Sequence, residues 1–157
     1  GVTKYSDAAQ ALLLEHGPTT TSTNGTFNIR HSSTTGTTAD SYAAQVRGAS
    51  GTQWRGINGL SAPVPSVLAI NYDTNSNAFY SGLSLRSNGA APSQVGVDST
   101  APGGGSLSNQ TLYLFSRAGS GSYSSAGITS LTIRGGDGSA WVSRLESYVK
   151  NLMRLNY

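Results

Sequence analysis

The chain predicts an all-β fold, an antiparallel β-sandwich with a short C-terminal helix and a short N-terminal helix. Three observations carry this reading. Short apolar runs with period-two alternation recur from Phe27 onward, the pattern of half-buried strands. Gly, Asn and Ser turns separate these runs, and 20 of the 157 residues are Gly. Charged residues make up only 11%, against about 25% in an ordinary domain, so hydroxyls and amides must form much of the surface. Disorder usually needs a high net charge as well as low hydrophobicity, and here the net charge is only +3.

The first element is the segment from Ser6 to Pro18. Ser6 or Asp7 can cap a helix, Gly17 can end it in a left-handed conformation, and Pro18 stops it. Its run Ala11-Leu12-Leu13-Leu14 is apolar nearly all round, so this helix must be buried against something, including another subunit. Residues 1–24 therefore read as an N-terminal helix and linker, an attachment segment, and residues 25–157 as the β-sandwich domain. Strands follow at Phe27–Arg30 and Tyr42–Arg47, and a weaker, Gly-flanked one carries Trp54 and Ile57.

After the breaker Ala62-Pro63-Val64-Pro65 comes the strand Ser66–Tyr72. The turn Asp73-Thr74-Asn75-Ser76-Asn77 leads into its partner, Ala78–Arg86. A short strand near Gln94–Val97 precedes a turn at Pro102–Gly105. Leu112–Gly119 and Ile128–Arg134 are the last strands. A closing helix starts near Trp141 and sets Trp141, Leu145, Tyr148, Val149 and Leu152 on one stripe, with Asp137 or Ser139 as its cap.

Composition excludes several function classes. The ten Lys and Arg are dispersed, which argues against a nucleic-acid partner. Cysteine is absent, which removes disulfides and cysteine-ligated zinc. No apolar run approaches the ~18 residues that span a membrane as a helix, so no membrane insertion is expected. The chain starts at Gly1 rather than at an initiator Met, which reads as processing, excision from a longer protein, or tagging.

From Ser66 onward the chain resembles the concanavalin A-like, laminin-G-like jelly-roll domains of bacteriophage virion proteins. The resemblance rests on the order SVLAINYD, TNSN, AFYSGLSLRS with Gly82 central, LYLFSRAGSGSYSSAG, ITSLTIRGGDG and a terminal helix. In that family a Tyr-Asp strand, a turn and an aromatic-Tyr-X-Gly strand form a hairpin. A later strand ends in Leu-Phe-X-Arg, found here as Leu114-Phe115-Ser116-Arg117. The resemblance covers a little more than half the chain, and the region before Ser66 departs from it. It implies a jelly-roll sandwich on a capsid, tail or fibre, exposed on the virion surface, with other virion proteins and its own copies as partners.

The residues themselves offer little catalysis. Concanavalin-like glycosidases carry closely spaced carboxylates on one strand. Here both Glu residues, Glu15 and Glu146, fall in predicted helices, and no predicted strand holds two acids. His16, at a helix C-terminus, and His31, at a strand end, have no partners at metal spacing. No G-x-S-x-G elbow is present. Asp73–Asn77 has calcium-like oxygens, but it lacks the Gly and Glu of an EF-hand and reads as an Asx turn.

No catalytic residue, metal or cofactor is therefore assigned. The ligand-binding candidates are Trp54, Tyr80 and Tyr123, as sugar-stacking aromatics, with Asn75 in the turn. Tyr72 and Tyr113 share the same chemistry. The expected function is a non-enzymatic phage virion module that adheres to cell-surface glycan or decorates the particle. A structural capsid or tail component without ligand, and a remnant domain of a polysaccharide-degrading enzyme, are the alternatives.

Overall fold

A computed structural model describes residues 1–7, 11–18, 23–31, 41–73, 83–90, 104–116, 119, 121–133, 135 and 139–154, apart from the side chains of 139–141. The described strands are β1 (Val2–Lys4), β2 (Ala11–His16), β3 (Thr26–His31), β4 (Tyr42–Arg47), β5 (Thr52–Ile57), β6 (Val64–Ser66), β7 (Leu68–Tyr72), β8 (Leu83–Ser87), β9 (Leu112–Leu114) and β10 (Ala126–Ile128). The helix α1 spans Ser139–Leu152. Every strand pair is antiparallel. They form a five-stranded sheet, β5-β4-β3-β2-β9, a three-stranded sheet, β10-β1-β6, and the hairpin β7-β8.

Alternation sets which side of the large sheet is apolar. Phe27 and Ile29 of β3 lie opposite Val46 and Ala44 of β4, so these four share one face with Tyr42. Val2 of β1 packs there against Leu13 and Tyr42, and Leu83 of β8 packs there against Ala44 and Val46. Both smaller sheets thus cover the same face of the large one. Tyr42, Ala44 and Val46 are buried beneath them.

The expected N-terminal helix is instead the strand β2. It hydrogen-bonds to β3 on one edge and β9 on the other, so its backbone is satisfied without a helix. A short all-apolar run does not distinguish a buried strand from a buried helix, and pairing on two edges overrides the helix propensity of Ala and Leu. The register shifts between Leu12 and Leu14, a bulge at Leu13. That extra residue lets Leu13 join the core while Leu12 stays opposite Arg30 on the other face. The first 24 residues therefore give strands to two sheets.

Three further expectations change. Val64 and Pro65, read as the end of a breaker, lie with Ser66 in the strand β6 at a sheet edge. Pro is tolerated there because an edge strand has one side with no ladder to complete. The strand expected over Ile128–Arg134 stops at Ile128. In α1, Val149 is buried, but Tyr148 is 63% and Leu152 48% exposed, so the apolar stripe is narrower than its spacing implied. Glu146 is buried in their place and pairs bidentately with Arg86 of β8, Nε to Oε1 at 2.9 Å and Nη2 to Oε2 at 3.1 Å. Asn75–Asn77, Ala78–Gly82, Gln94–Val97, Asp137 and the Trp141 side chain lie outside the described residues.

One glycine is required by close backbone approach. Gly25 has φ +70°, and a Cβ there would meet the Ser108 nitrogen at 2.6 Å and the Ser106 oxygen at 2.7 Å. Its N–H donates to the Arg47 carbonyl and its carbonyl accepts from the Ser108 N–H, both at 2.9 Å. Gly89, at φ +82°, has open space around the same position. Gly89→Ala should therefore cost only the left-handed backbone penalty, about 1 kcal/mol. Gly25→Ala adds overpacking against backbone and should cost about 2–4 kcal/mol. Urea denaturation of the two variants checks the ordering, and equal losses would contradict it.

Candidate functional site

The face of the large sheet turned away from the smaller sheets carries polar side chains in register. Tyr113 of β9 lies opposite Glu15 of β2, and Glu15 lies opposite Asn28 of β3. Asn28 lies opposite Gln45 of β4, and Gln45 lies opposite Trp54 of β5. A single row thus crosses all five strands, about 19 Å at ordinary strand spacing. An aromatic residue stands at each end.

The next row explains how the first is braced. It runs Leu12, Arg30, Ala43 and Gly56. Ala43 and Gly56 leave a trough beside Arg30, and its long side chain lies across β4 to reach the Trp54 ring, with the guanidinium carbon 4.0 Å from the centroid. Arg30 Nε donates to Asn28 Oδ1 at 3.0 Å, and its Nη2 donates to Gln45 Oε1. Asn28 Nδ2 donates to the same Gln45 oxygen at 3.0 Å. Asn28, Arg30 and Gln45 are all buried, while Trp54 and Tyr113 are half-buried. A guanidinium held by two amides fixes the plane of the indole it stacks on.

A second polar cluster lies where β1 meets the large sheet. Lys4 is buried, with Nζ 2.5 Å from Asp7 Oδ1 and 5.2 Å from the Tyr42 ring centroid. Asp7 Oδ2 accepts from the Ala62 N–H at 2.7 Å, and these bonds hold its carboxyl below the usual range. His31 Nε2 is 2.7 Å from Ser124 Oγ. Burial, aided by the Lys4 charge, pushes the imidazole down to about 4. Burial pushes the Tyr42 hydroxyl up to about 12. An imidazole pushed this low is neutral at pH 7, so its contact with Ser124 is a hydrogen bond of the uncharged ring.

Of the four sequence candidates, the two that are described do not converge. Trp54 is in the braced row, whereas Tyr123 is 68% exposed in the segment that runs beside Leu12 of β2. β2 and β5 are three strand spacings apart, about 14 Å. Asn75 and Tyr80 lie outside the described residues. Glu15, expected in a helix, sits in a strand, the only carboxylate within a described one. His16, expected at a helix end, closes β2 and stacks on Phe27 at 5.1 Å. Asn28, Arg30 and Gln45 were not singled out. Their alternation with Phe27, Ile29 and Val46 would have placed them on one face.

Among the described residues no cluster of His, Asp or Glu could hold a metal ion, and no helix is long and apolar enough to cross a membrane. No family model, curated protein or solved structure matches the chain.

The His31 environment makes stability depend on pH. In the unfolded chain its imidazole returns to about 6.5. Between about pH 6.5 and 4 the unfolded state therefore binds a proton that the folded state does not, and stability falls with pH. The loss should reach about 3 kcal/mol at the lower limit. Asp7, lowered rather than raised, adds its loss only below the ordinary carboxylate range. Urea denaturation at pH 7.0 and 4.5 should show the drop, and His31→Gln should remove most of the difference. An unchanged pH difference in that variant would rule out His31 as its source.

Proposed function

We propose that the chain is a non-enzymatic module of a bacteriophage virion, a concanavalin A-like jelly-roll sandwich that adheres to host-surface glycan or decorates the particle. In this reading the five-stranded sheet is one leaf, and the two smaller sheets together form the other. The motif order from Ser66 to the terminal helix supports the family reading, and the partners are other virion proteins and further copies of the chain. Exposure on the virion surface follows from the same reading.

The observation that carries the glycan reading is the Trp54 end of the polar row. Indole faces and amide edges are the chemistry that sugars take, the rings stacking and the hydroxyls hydrogen-bonding. Arg30 holds that indole in one orientation before any ligand arrives, and such preorganisation lowers the cost of binding. The low charge of the chain avoids indiscriminate ionic attraction. The burial of Asn28, Arg30 and Gln45 favours the ligand-free structural reading instead, because those groups already satisfy one another. A polysaccharide-degrading remnant has one strand carboxylate, Glu15, and no second one on a described strand to complete a pair.

A glycan array with the whole chain separates these readings. Binding to at least one glycan is expected, weakened about tenfold by Trp54→Ala, the loss of one stacking contact. Binding that survives Trp54→Ala unchanged would move the site elsewhere. No binding at all would leave the structural reading.

A further inference from the structure

The outer face of the three-stranded sheet follows from what its inner face holds. Val2 and Lys4 of β1 are buried toward the large sheet, and Ala126 of β10 packs on the cluster of Val2, Leu13 and Tyr42. Ser124, two residues earlier, points the same way, with its hydroxyl on His31 Nε2. Side chains alternate along an extended chain. Thr3 and Tyr5 on the β1 side, and Tyr123, Ser125 and Gly127 on the β10 side, therefore turn outward together. The register sets Thr3 opposite Gly127, and the Tyr5 N–H donates to the Ser125 carbonyl at 2.9 Å. Pro65 of β6 stands on the other side of Thr3.

Tyr5 lies down on this face. A Cβ built on Gly127 would stand 3.1 Å from the Tyr5 hydroxyl oxygen, 3.6 Å from its Cε2 and 3.8 Å from its Cζ. The far edge of the ring thus rests over the Gly127 backbone, diagonally across the strand pair. The rest of the ring is open to solvent, since Tyr5 is 59% exposed. Tyr123 is 68% exposed on the same face, two residues from Ser125 on the side away from Gly127. The two rings bracket Ser125, over a run of about 13 Å from Tyr123 to Gly127. Thr3, Tyr5, Pro65, Tyr123, Ser125 and Gly127 are all uncharged.

We infer that Tyr5 and Tyr123 form a second glycan site, a platform for a short run of neutral sugars. The inference rests on the glycan reading above and adds a surface that Trp54 does not share. Trp54 lies on the face of the large sheet turned away from the smaller sheets, so the two sites occupy opposite outer faces of the stacked layers. Stacking a sugar takes an aromatic ring held in one orientation and reachable from one side, and the small Gly127 gives Tyr5 that seat. The phenols of both rings and the hydroxyls of Thr3 and Ser125 can donate to and accept from sugar hydroxyls. An anionic ligand would gain no ion pair from this set of side chains. A protein partner is anchored by side chains that fill pockets, whereas the floor between the two rings is Ser and Gly in a flat strand pair.

The test follows the NMR signals of isotope-labelled tyrosine and tryptophan rings in the whole chain. The probes are neutral cello-, malto-, xylo- and chito-oligosaccharides, with hyaluronan oligosaccharide as the anionic comparison. At least one neutral probe should shift the Tyr5 and Tyr123 signals together and leave the buried Tyr42 unmoved. Tyr5→Ala and Tyr123→Ala should each weaken binding at this face about fivefold. Gly127→Val keeps both aromatics but crowds the Tyr5 ring, in a strand that favours β-branched residues. It should weaken binding as much while Tm holds. Shifts confined to the Trp54 indole would overturn the inference and leave the glycan reading standing, and shifts at neither site would overturn both. Binding of hyaluronan alone, or a Gly127→Val variant that binds as well as the unaltered chain, would also overturn the inference.

Discussion

Pairing on both edges of Ala11–His16 is the constraint on which the rest of the structure depends. As an edge strand or a helix this run would leave β3 and β9 without their common neighbour. Placed between them, it converts one apolar string into two faces. Leu13 and Leu14 go to the core, while Leu12 and Glu15 go to the opposite side. The bulge at Leu13 makes that division possible, because strict alternation would have sent Leu12 and Leu14 to the same face. The polar row and the apolar core therefore share one origin, the register of β2.

That register also explains why so many polar groups are buried in a small protein. Burying an amide or a charge is costly unless its hydrogen bonds are replaced. Arg30 meets this through Asn28, Gln45 and the Trp54 ring, and Lys4 through Asp7 and the Tyr42 ring. Both arrangements include a contact between side chains distant in sequence, Arg30 with Trp54 and Lys4 with Tyr42, so each ties together strands that do not directly follow one another. Such networks specify one register over its neighbours, since a one-residue slip would separate Asn28 from Gln45 and leave both unsatisfied.

The legible and illegible parts of the fold divide on physical grounds. Phe27–Arg30, Tyr42–Arg47, the strand carrying Trp54, and the closing helix could be read because their periodicity is local. The Ala11–Leu14 run could not, because its state is decided by partners at residues 28–31 and 112–114. Of the site, Trp54 was legible as an aromatic in a weak strand. Its brace was not, since Arg30 reaches it over Ala43 and Gly56, two small residues that have meaning only once the strands are in register. Tyr148 and Leu152 misled for the converse reason. Their helical spacing is correct, but the Glu146–Arg86 pair rotates a polar position of α1 onto β8.

The contrast in burial between the two ends of the molecule follows from the same topology. Tyr42, Ala44 and Val46 are sealed because β1 and β8 lie over them. Leu68, Ile70 and Tyr72 belong to an equally apolar strand, yet remain only partly buried. Their own hairpin partner is complete from Leu83 to Ser87, so the deficit does not lie on that side. It lies on the opposite flank, where no described strand pairs with β7, and where the Tyr72 hydroxyl is buried without a hydrogen-bond partner among the described residues. A sheet edge turned inward toward a cavity carries the desolvation cost of its amides without the ladder that would offset it. The weak packing at this end therefore goes with an edge of β7 that no described strand covers, while the apolar pattern of β7 itself is sound.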